Sequence, residues 1–246
     1  MKHPLLLFGT VHWGLIGLLI YFILFIWQIN WVWVLIGFIF YCIFFVFVIV
    51  RILRHYYHFP IPSFMTRLID NPLRRKFMQN PDVIAERMQL APGMIVVEIG
   101  PGKGSYTKAV AKRILPNGTV YAVDISEKVI DRLKTRIEKE GIPNIIPQID
   151  DAYNFSFTDE SVDRILAVAC LPEIPDHVKA LTECRRILKP DGLVCLSELV
   201  LDPDYPQRKT EKRWADEAGL ELISEFRNWA AYQLNFRKKS GNLKAV

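Results

Sequence analysis

Apolar residues are distributed along this chain in two ways. From His3 to Val50 there is no Asp, Glu, Lys or Arg, and Leu, Ile, Val, Phe and Trp dominate. One helix of that length would be roughly 70 Å long at ~1.5 Å per residue, more than twice a bilayer's hydrocarbon core. Two spans fit instead, about 11–28 and 32–50, turning at Gln28-Ile29-Asn30. Trp27, Trp31 and Trp33 flank the turn, where an aromatic belt would lie. Residues 1–55 therefore read as a transmembrane helical hairpin. A cleaved signal peptide would have one short apolar stretch and a small-residue cleavage site, which does not fit. A shallow re-entrant hairpin is the remaining alternative. His12, near the start of the first span, reads as a neutral interfacial histidine without an acidic partner.

From Pro81 onward, short apolar runs alternate with segments of helical spacing. Met94–Ile99 reads as a strand, Ser105–Leu115 as a helix, and Thr119–Asp124 as a second strand after the Asn117-Gly118 turn. Ser126 caps a helix to about Glu140, with Gly141 as its stop. Asn144–Ile149 and Asp163–Ala169 are further strands, and Pro175–Leu188 is a helix ended by Lys189-Pro190-Asp191-Gly192. Leu193–Leu201 is a fifth strand, and Gln207–Ala218 a helix stopped by Gly219. Leu220–Phe226 and Ala230–Arg237 close the chain as a hairpin through Asn228-Trp229. This alternation predicts, over residues 81–246, an α/β Rossmann-like fold. Its seven-stranded, mostly parallel sheet has helices on both faces and a C-terminal antiparallel hairpin.

Residues 56–80 join the two regions. Apolar positions from Phe64 to Met78 recur at helical spacing beside Arg67, Arg74, Arg75 and Lys76, with Asn71-Pro72 as an interruption. Two short amphipathic helices on a membrane surface explain this, and so does a helix packed on the following domain. Residues 51–80 carry six basic groups and one acid, a net of +5 that equals the formal charge of the 246-residue chain. The basicity is thus a juxtamembrane feature suited to anionic headgroups, and nucleic acid is not an expected partner. Lys2 precedes the first span, the arginines follow the second, and the turn has no positive charge. Both termini and the second domain are therefore expected in the cytoplasm, on an integral membrane protein. Cysteines 42, 170, 184 and 195 lack metal-ligand spacing and read as reduced thiols, so no metal is expected.

The chemistry is concentrated where Ile95-Val96-Val97-Glu98-Ile99 breaks into Gly100-Pro101-Gly102-Lys103-Gly104 and a helix follows at once. Alternate glycines let a ligand approach bare backbone beneath a helix N-terminus. A nicotinamide-binding turn would place its third glycine at position 105, which is Ser105. The spacing E-x-G-x-G-x-G resembles motif I of the class I S-adenosylmethionine-dependent methyltransferases. The resemblance spans roughly residues 81–237. It extends to Asp159–Ile165 and Glu183–Gly192, which look like signatures of the type 11 branch that includes the ubiquinone/menaquinone methyltransferases. Val162 and Asp191 depart from the usual Phe and Gly there. Glu98–Gly102 also looks like the corresponding segment of bacterial phospholipid N-methyltransferases.

The resemblance implies S-adenosyl-L-methionine as cofactor and a site at three successive strand ends. Glu98, with Gly100, Pro101, Gly102 and Gly104, would receive the amino-acid part. Asp124, followed by Ile125, would take both ribose hydroxyls. Asp151-Ala152 would contact adenine. The segment Cys170–Asp176 should face the transferred methyl, and Glu173 is the candidate base or cation-binding group there. A helix N-terminal carboxylate is the competing reading of Glu173. Glu198, Tyr205, Tyr153 and His177 are weaker candidates for the substrate pocket. The N/D-P-P-Y/F segment of amino-methylating nucleic-acid enzymes is absent. The expected function is methylation of a lipid or other hydrophobic membrane-associated substrate, first a phospholipid amine headgroup. The alternatives are quinone C-methylation, methylation of a small hydrophobic thiol, and a non-catalytic adaptor that binds the cofactor.

Overall fold

Seven apolar runs become the strands of one sheet in the computed structural model, which describes residues 16–18, 20–21, 31–45, 72–200, 202 and 205–240. The chain divides into two compact units, Met1–His58 and Phe59–Val246.

In the first unit the described helix is α1 (Trp31–Phe44), of 14 residues. At ~1.5 Å per residue it is about 21 Å long, short of a hydrocarbon core of about 30 Å. Among the described residues no helix is long and apolar enough to cross a membrane. The expected two-span hairpin thus has no support there. Much of both expected spans, the turn at residues 28–30 and His12 lie outside the described residues. What α1 does have is an apolar surface on every side, with Val32, Trp33, Leu35, Phe38, Ile39, Phe40, Tyr41 and Phe44 all exposed.

The second unit opens with α2 (Pro72–Phe77) and α3 (Pro81–Arg87). Residues 63–71 of the expected amphipathic segment lie outside the described residues. Asn80 starts α3 by accepting the Asp82 and Val83 amides at 2.9 and 3.4 Å, with Pro81 at the first helical position. The sheet follows, with β1 (Ile95–Ile99), β2 (Thr119–Asp124), β3 (Ile145–Ile149), β4 (Val162–Val168), β5 (Leu188–Leu199), β6 (Leu220–Arg227) and β7 (Ala231–Lys238). Its order is β3-β2-β1-β4-β5-β7-β6. β1 to β5 run parallel, and β7 runs antiparallel to both β5 and β6. The reversal of strand order between β1 and β4 opens a crevice at their carboxyl ends, where ligands of such sheets bind.

α3, α4 (Ser105–Arg113) and α5 (Glu127–Glu140) cover one face, packing Ile84, Met88, Val110 and Leu133 on Val96, Ala122 and Leu166. α6 (His177–Ile187) and α7 (Arg208–Glu217) cover the other, packing Leu181, Ile187 and Ala215 on Ile165, Ala167 and Leu196. Gly141 ends α5 in the left-handed region at φ 65°, as its position after the last periodic residue implies.

Two segments differ from expectation. β5 begins at Leu188, directly after α6, and the expected turn at 189–192 is an irregularity within that strand. Leu188 still pairs with Val162, and pairing resumes at Arg164 with Leu193. Lys189 holds Asp163 at 2.8 Å, and the Arg164 guanidinium reaches the Asp191 carbonyl at 3.4 Å, so side chains hold the bulge to the sheet. The second difference is what the two signature segments do. Arg186 binds Asp159 at 2.6 Å and Glu183 at 2.6 Å, and donates to the Phe155 carbonyl at 3.1 Å. Asp163 also accepts the Ile95 amide of β1 at 2.8 Å. The signatures thus fasten β1, β4, β5 and α6 together at the ends remote from the glycine loop. They account for the fold and do not touch the chemistry.

Candidate functional site

The glycine loop leaves β1 at its carboxyl end, and the Gly100 amide donates to the Val123 carbonyl of β2 at 2.9 Å. Gly100, Gly102 and Gly104 all have positive φ, at 67°, 52° and 75°. At Gly100 a Cβ would stand 2.4 Å from Cys170 Sγ, so glycine is required both by conformation and by close approach of the β4 end. At Gly102 a Cβ would meet no atom within 4 Å, which leaves open space beside bare backbone. Gly104 precedes α4 without a side-chain cap, so the helix N-terminus presents its amides to that space. Gly100→Ala should lower stability by about 1–3 kcal/mol through overpacking and left-handed strain. Thermal melting checks this, and Cys170→Ala in the same chain should restore part of the loss.

Glu98 ends β1 on the α4 side and is buried, and its Oε2 has no hydrogen-bond partner among the described residues. Burial pushes its carboxyl up to about 7, with the Thr107 hydroxyl of α4 acting the other way. A buried carboxylate left unpartnered costs several kcal/mol. A ligand ammonium at that oxygen would remove the penalty, which is the property a receiver of the cofactor's amino group needs. Asp124 ends β2. One oxygen accepts the Ser126 amide at 2.8 Å, and the other makes no hydrogen bond among the described residues. Burial raises its carboxyl above the ordinary range, against the lowering by that amide. The next residue, Ile125, is 76% exposed, an apolar face beside the free oxygen.

The structure separates the two neighbouring acids after β3. Asp150 is structural, accepting Gln148 Nε2 at 2.9 Å and the Ser156 amide at 3.0 Å on one oxygen and the Asp151 amide at 3.0 Å on the other. Asp151 is exposed and uses one oxygen on the Tyr153 amide at 2.9 Å. Its other oxygen makes no hydrogen bond among the described residues and would be open to an exocyclic amine if adenine binds there. The Asp150 amide donates to the Asp124 carbonyl at 3.2 Å, so the β2 and β3 ends adjoin.

Cys170 marks the centre of the arrangement. Its thiol is held well above the usual range, first by burial and then by the negative charges of Glu173, Asp124, Glu198 and Glu98. The carboxyl groups at the ends of β1, β2, β4 and β5 thus lie near enough to Cys170 to act on it electrostatically. Glu173 itself is exposed, on a single 3-10 turn, Leu171–Glu173. His177 stacks on Trp214 at 3.7 Å between α6 and α7, and the Tyr153 hydroxyl accepts the Asp176 amide at 2.8 Å, tying its loop to the start of α6. Tyr205 packs edge-on against Tyr232 at 5.4 Å.

Glu211 of α7 was not singled out by sequence. It is fully buried beside Glu198, and among the described residues none of the four carboxylate oxygens has a hydrogen-bond partner. Its signal was spacing: Glu211, Ala215 and Ala218 share the inward stripe of α7. Among the described residues no group of three or more His, Cys, Asp or Glu is placed to hold a metal ion.

Residues 97–196 match the methyltransferase domain family. The ubiquinone/menaquinone biosynthesis C-methyltransferase UbiE of Bordetella avium is 34% identical over 113 residues, 46% of this chain and 43% of that protein. The demethylmenaquinone methyltransferase of Lactobacillus johnsonii is 30% identical over 129 residues, 52% of this chain and 50% of that protein. The chain thus spans about half the length of the curated relatives it matches. A SAM-dependent methyltransferase of Aquifex aeolicus shares the fold, with a TM-score of 0.66 at 19% identity over 72% of this chain and 98% of that one. The matched region is an S-adenosyl-L-methionine-dependent methyltransferase domain, with that molecule as its cofactor. Glu98, Asp124, Asp151 and the glycine loop are the residues that would hold it.

Proposed function

We propose that this chain is a membrane-anchored methyltransferase whose acceptor is a lipid or another hydrophobic molecule held in the bilayer. The cofactor supplies an electrophilic methyl on a sulfonium. The chain's own part is to align a nucleophile behind that methyl and exclude water, which alone accounts for up to about 7–11 kcal/mol of rate acceleration. The carrying observation for the anchor is α1. Its all-round apolar surface has no stable place in water, and it lies within the charge-free stretch His3–Val50. The positive charges that follow that stretch support an integral membrane protein with both termini and the catalytic domain in the cytoplasm.

Two acceptors fit. The named relatives favour a ring carbon of a quinone precursor, since both act in quinone biosynthesis or on demethylmenaquinone. A phospholipid amine headgroup is favoured by exposed Glu173, a carboxylate just beyond the β4 end that can take a proton from a cationic acceptor. Nucleic acid remains an unexpected partner. The test is incubation of purified protein with methyl-labelled cofactor and total membrane extract, followed by separation of the labelled species. Label should enter an organic-extractable compound, a quinone or an amine lipid. Label confined to water-soluble products would end the proposal.

A further inference from the structure

A cavity of about 220 Å³ lies between the α2–α3 segment, the carboxyl end of β5 and the amino end of β7. Lys76, Arg87, Gln79, Asn80, Ser197, Asn228 and Tyr232 supply its polar lining, and among the described residues no Asp or Glu lines it. The floor is already satisfied. Arg74 donates to Gln79 at 2.6 and 3.0 Å, Gln79 to Ser197 at 3.0 Å, Ser197 to the Tyr232 carbonyl at 3.0 Å, and Asn228 to the Met78 carbonyl at 2.7 Å. Lys76 and Arg87 are different. Neither makes an ion pair among the described residues, and each is held over a ring, Lys76 over Phe77 at 5.3 Å and Arg87 over Phe226 at 4.7 Å. Glu86, whose charge acts on Arg87, is not part of the lining. A ring contact uses the face of a guanidinium and leaves its N–H edge free for a phosphate.

The same segments expose large apolar side chains. Leu73 and Phe77, one turn apart on α2, are 67% and 60% exposed, and Trp229, next to Asn228, is 72% exposed. Two uncommitted cations above an acid-free floor, with an apolar rim, are complementary to one kind of occupant. We propose that this cavity binds the phosphate headgroup of an anionic membrane lipid, with Lys76 and Arg87 as its ligands and Leu73, Phe77 and Trp229 against the acyl chains. The volume is below the ~300–1,000 Å³ of sites that enclose a whole small ligand, so the tails stay outside. None of the residues assigned above to the cofactor lines this cavity. It adjoins the cofactor side of the domain, because Tyr106, the second residue of α4, donates to the Gln79 carbonyl at 3.3 Å.

The proposal rests on the reading of the chain as membrane-bound, which alkaline carbonate extraction tests on its own. For the site, the full chain in neutral detergent is titrated with phosphatidylglycerol, with phosphatidylcholine of the same acyl chains, and with inorganic phosphate. Bound lipid is counted by native mass spectrometry. Phosphatidylglycerol should be retained at least tenfold more tightly than phosphatidylcholine. K76E/R87E, and the milder K76Q/R87Q, should abolish that preference while S-adenosylhomocysteine binding and melting temperature stay unchanged. Equal retention of the two lipids by the wild type, or a preference that survives both variants, would overturn the site. Displacement of phosphatidylglycerol by millimolar phosphate would make it a free-anion site and overturn it equally.

Discussion

Asp124→Ala should weaken S-adenosylhomocysteine binding about a hundredfold or more, measured by calorimetry. The free carboxylate oxygen at the β2 end, beside exposed Ile125, is placed to accept ribose hydroxyls. Hydrogen bonds to a charged group contribute about 1.5–3 kcal/mol each, and every 1.4 kcal/mol is roughly tenfold in affinity. Asp124→Asn keeps an acceptor without the charge and should fall between wild type and Ala. Asp150→Asn should leave affinity within a few-fold and lower the melting temperature instead, because Asp150 holds Gln148 and the Ser156 amide. If Asp124→Ala bound within threefold of wild type, the ribose assignment would be lost.

The second large effect is on stability against pH. Burial pushes Glu211 up to about 8 and Glu198 well above its ordinary 4.5, each beside the other's carboxyl. Burial also brings Glu98 up to about 7. In the unfolded chain these groups ionise near 4.5, so over pH 5–8 the folded state binds more protons than the unfolded one. Stability from the three groups is therefore complete below about pH 4.5 and is lost as pH rises through 7 and 8. At ~1.4 kcal/mol per pKa unit the loss is on the order of several kcal/mol, or at least about 5–10 °C of melting temperature for a domain of this size. The surface carboxylates Glu183 and Glu225, whose values are lowered chiefly by bonds to Arg186 and to Lys212 and Arg208, work in the opposite sense at acid pH. Melting from pH 5 to 9 thus reports mainly on the buried groups. Glu211→Gln should flatten the decline, matching wild type near pH 5 and melting several degrees higher at pH 9. Parallel curves for the two proteins would refute the assignment.

The cofactor residues were readable along the chain because each is a local event, an acid or a glycine at the end of an apolar run. Glu98, Asp124 and Asp151 needed only strand ends to be located, and those ends lie within a residue of expectation. The turn expected at 189–192 failed because its Pro-Asp-Gly composition signals a break, while pairing to β4 on both sides holds it within β5. α3 carries Asn80-Pro81, a cap and a first-turn proline, but its buried stripe is only Ile84 and Ala85, too short for periodicity to signal a helix. Glu211 could be placed inside only once α7 was seen against β5 and β7.

What the order of residues by itself determined is the alternation of strands and helices, the glycine loop and the three acids that follow successive strands. Local propensity and periodicity act over a few residues, and these features are of that reach. Only the tertiary structure decided which carboxylates stay free and which become scaffolding. Asp150 and Asp151 are adjacent in sequence, and their neighbours in space divide their roles. Long-range packing also fastened the two signature segments to each other and, among the described residues, left Lys76 and Arg87 without an acid between them. A side chain's partners come from every element that meets it, and that meeting is not written in its own neighbourhood.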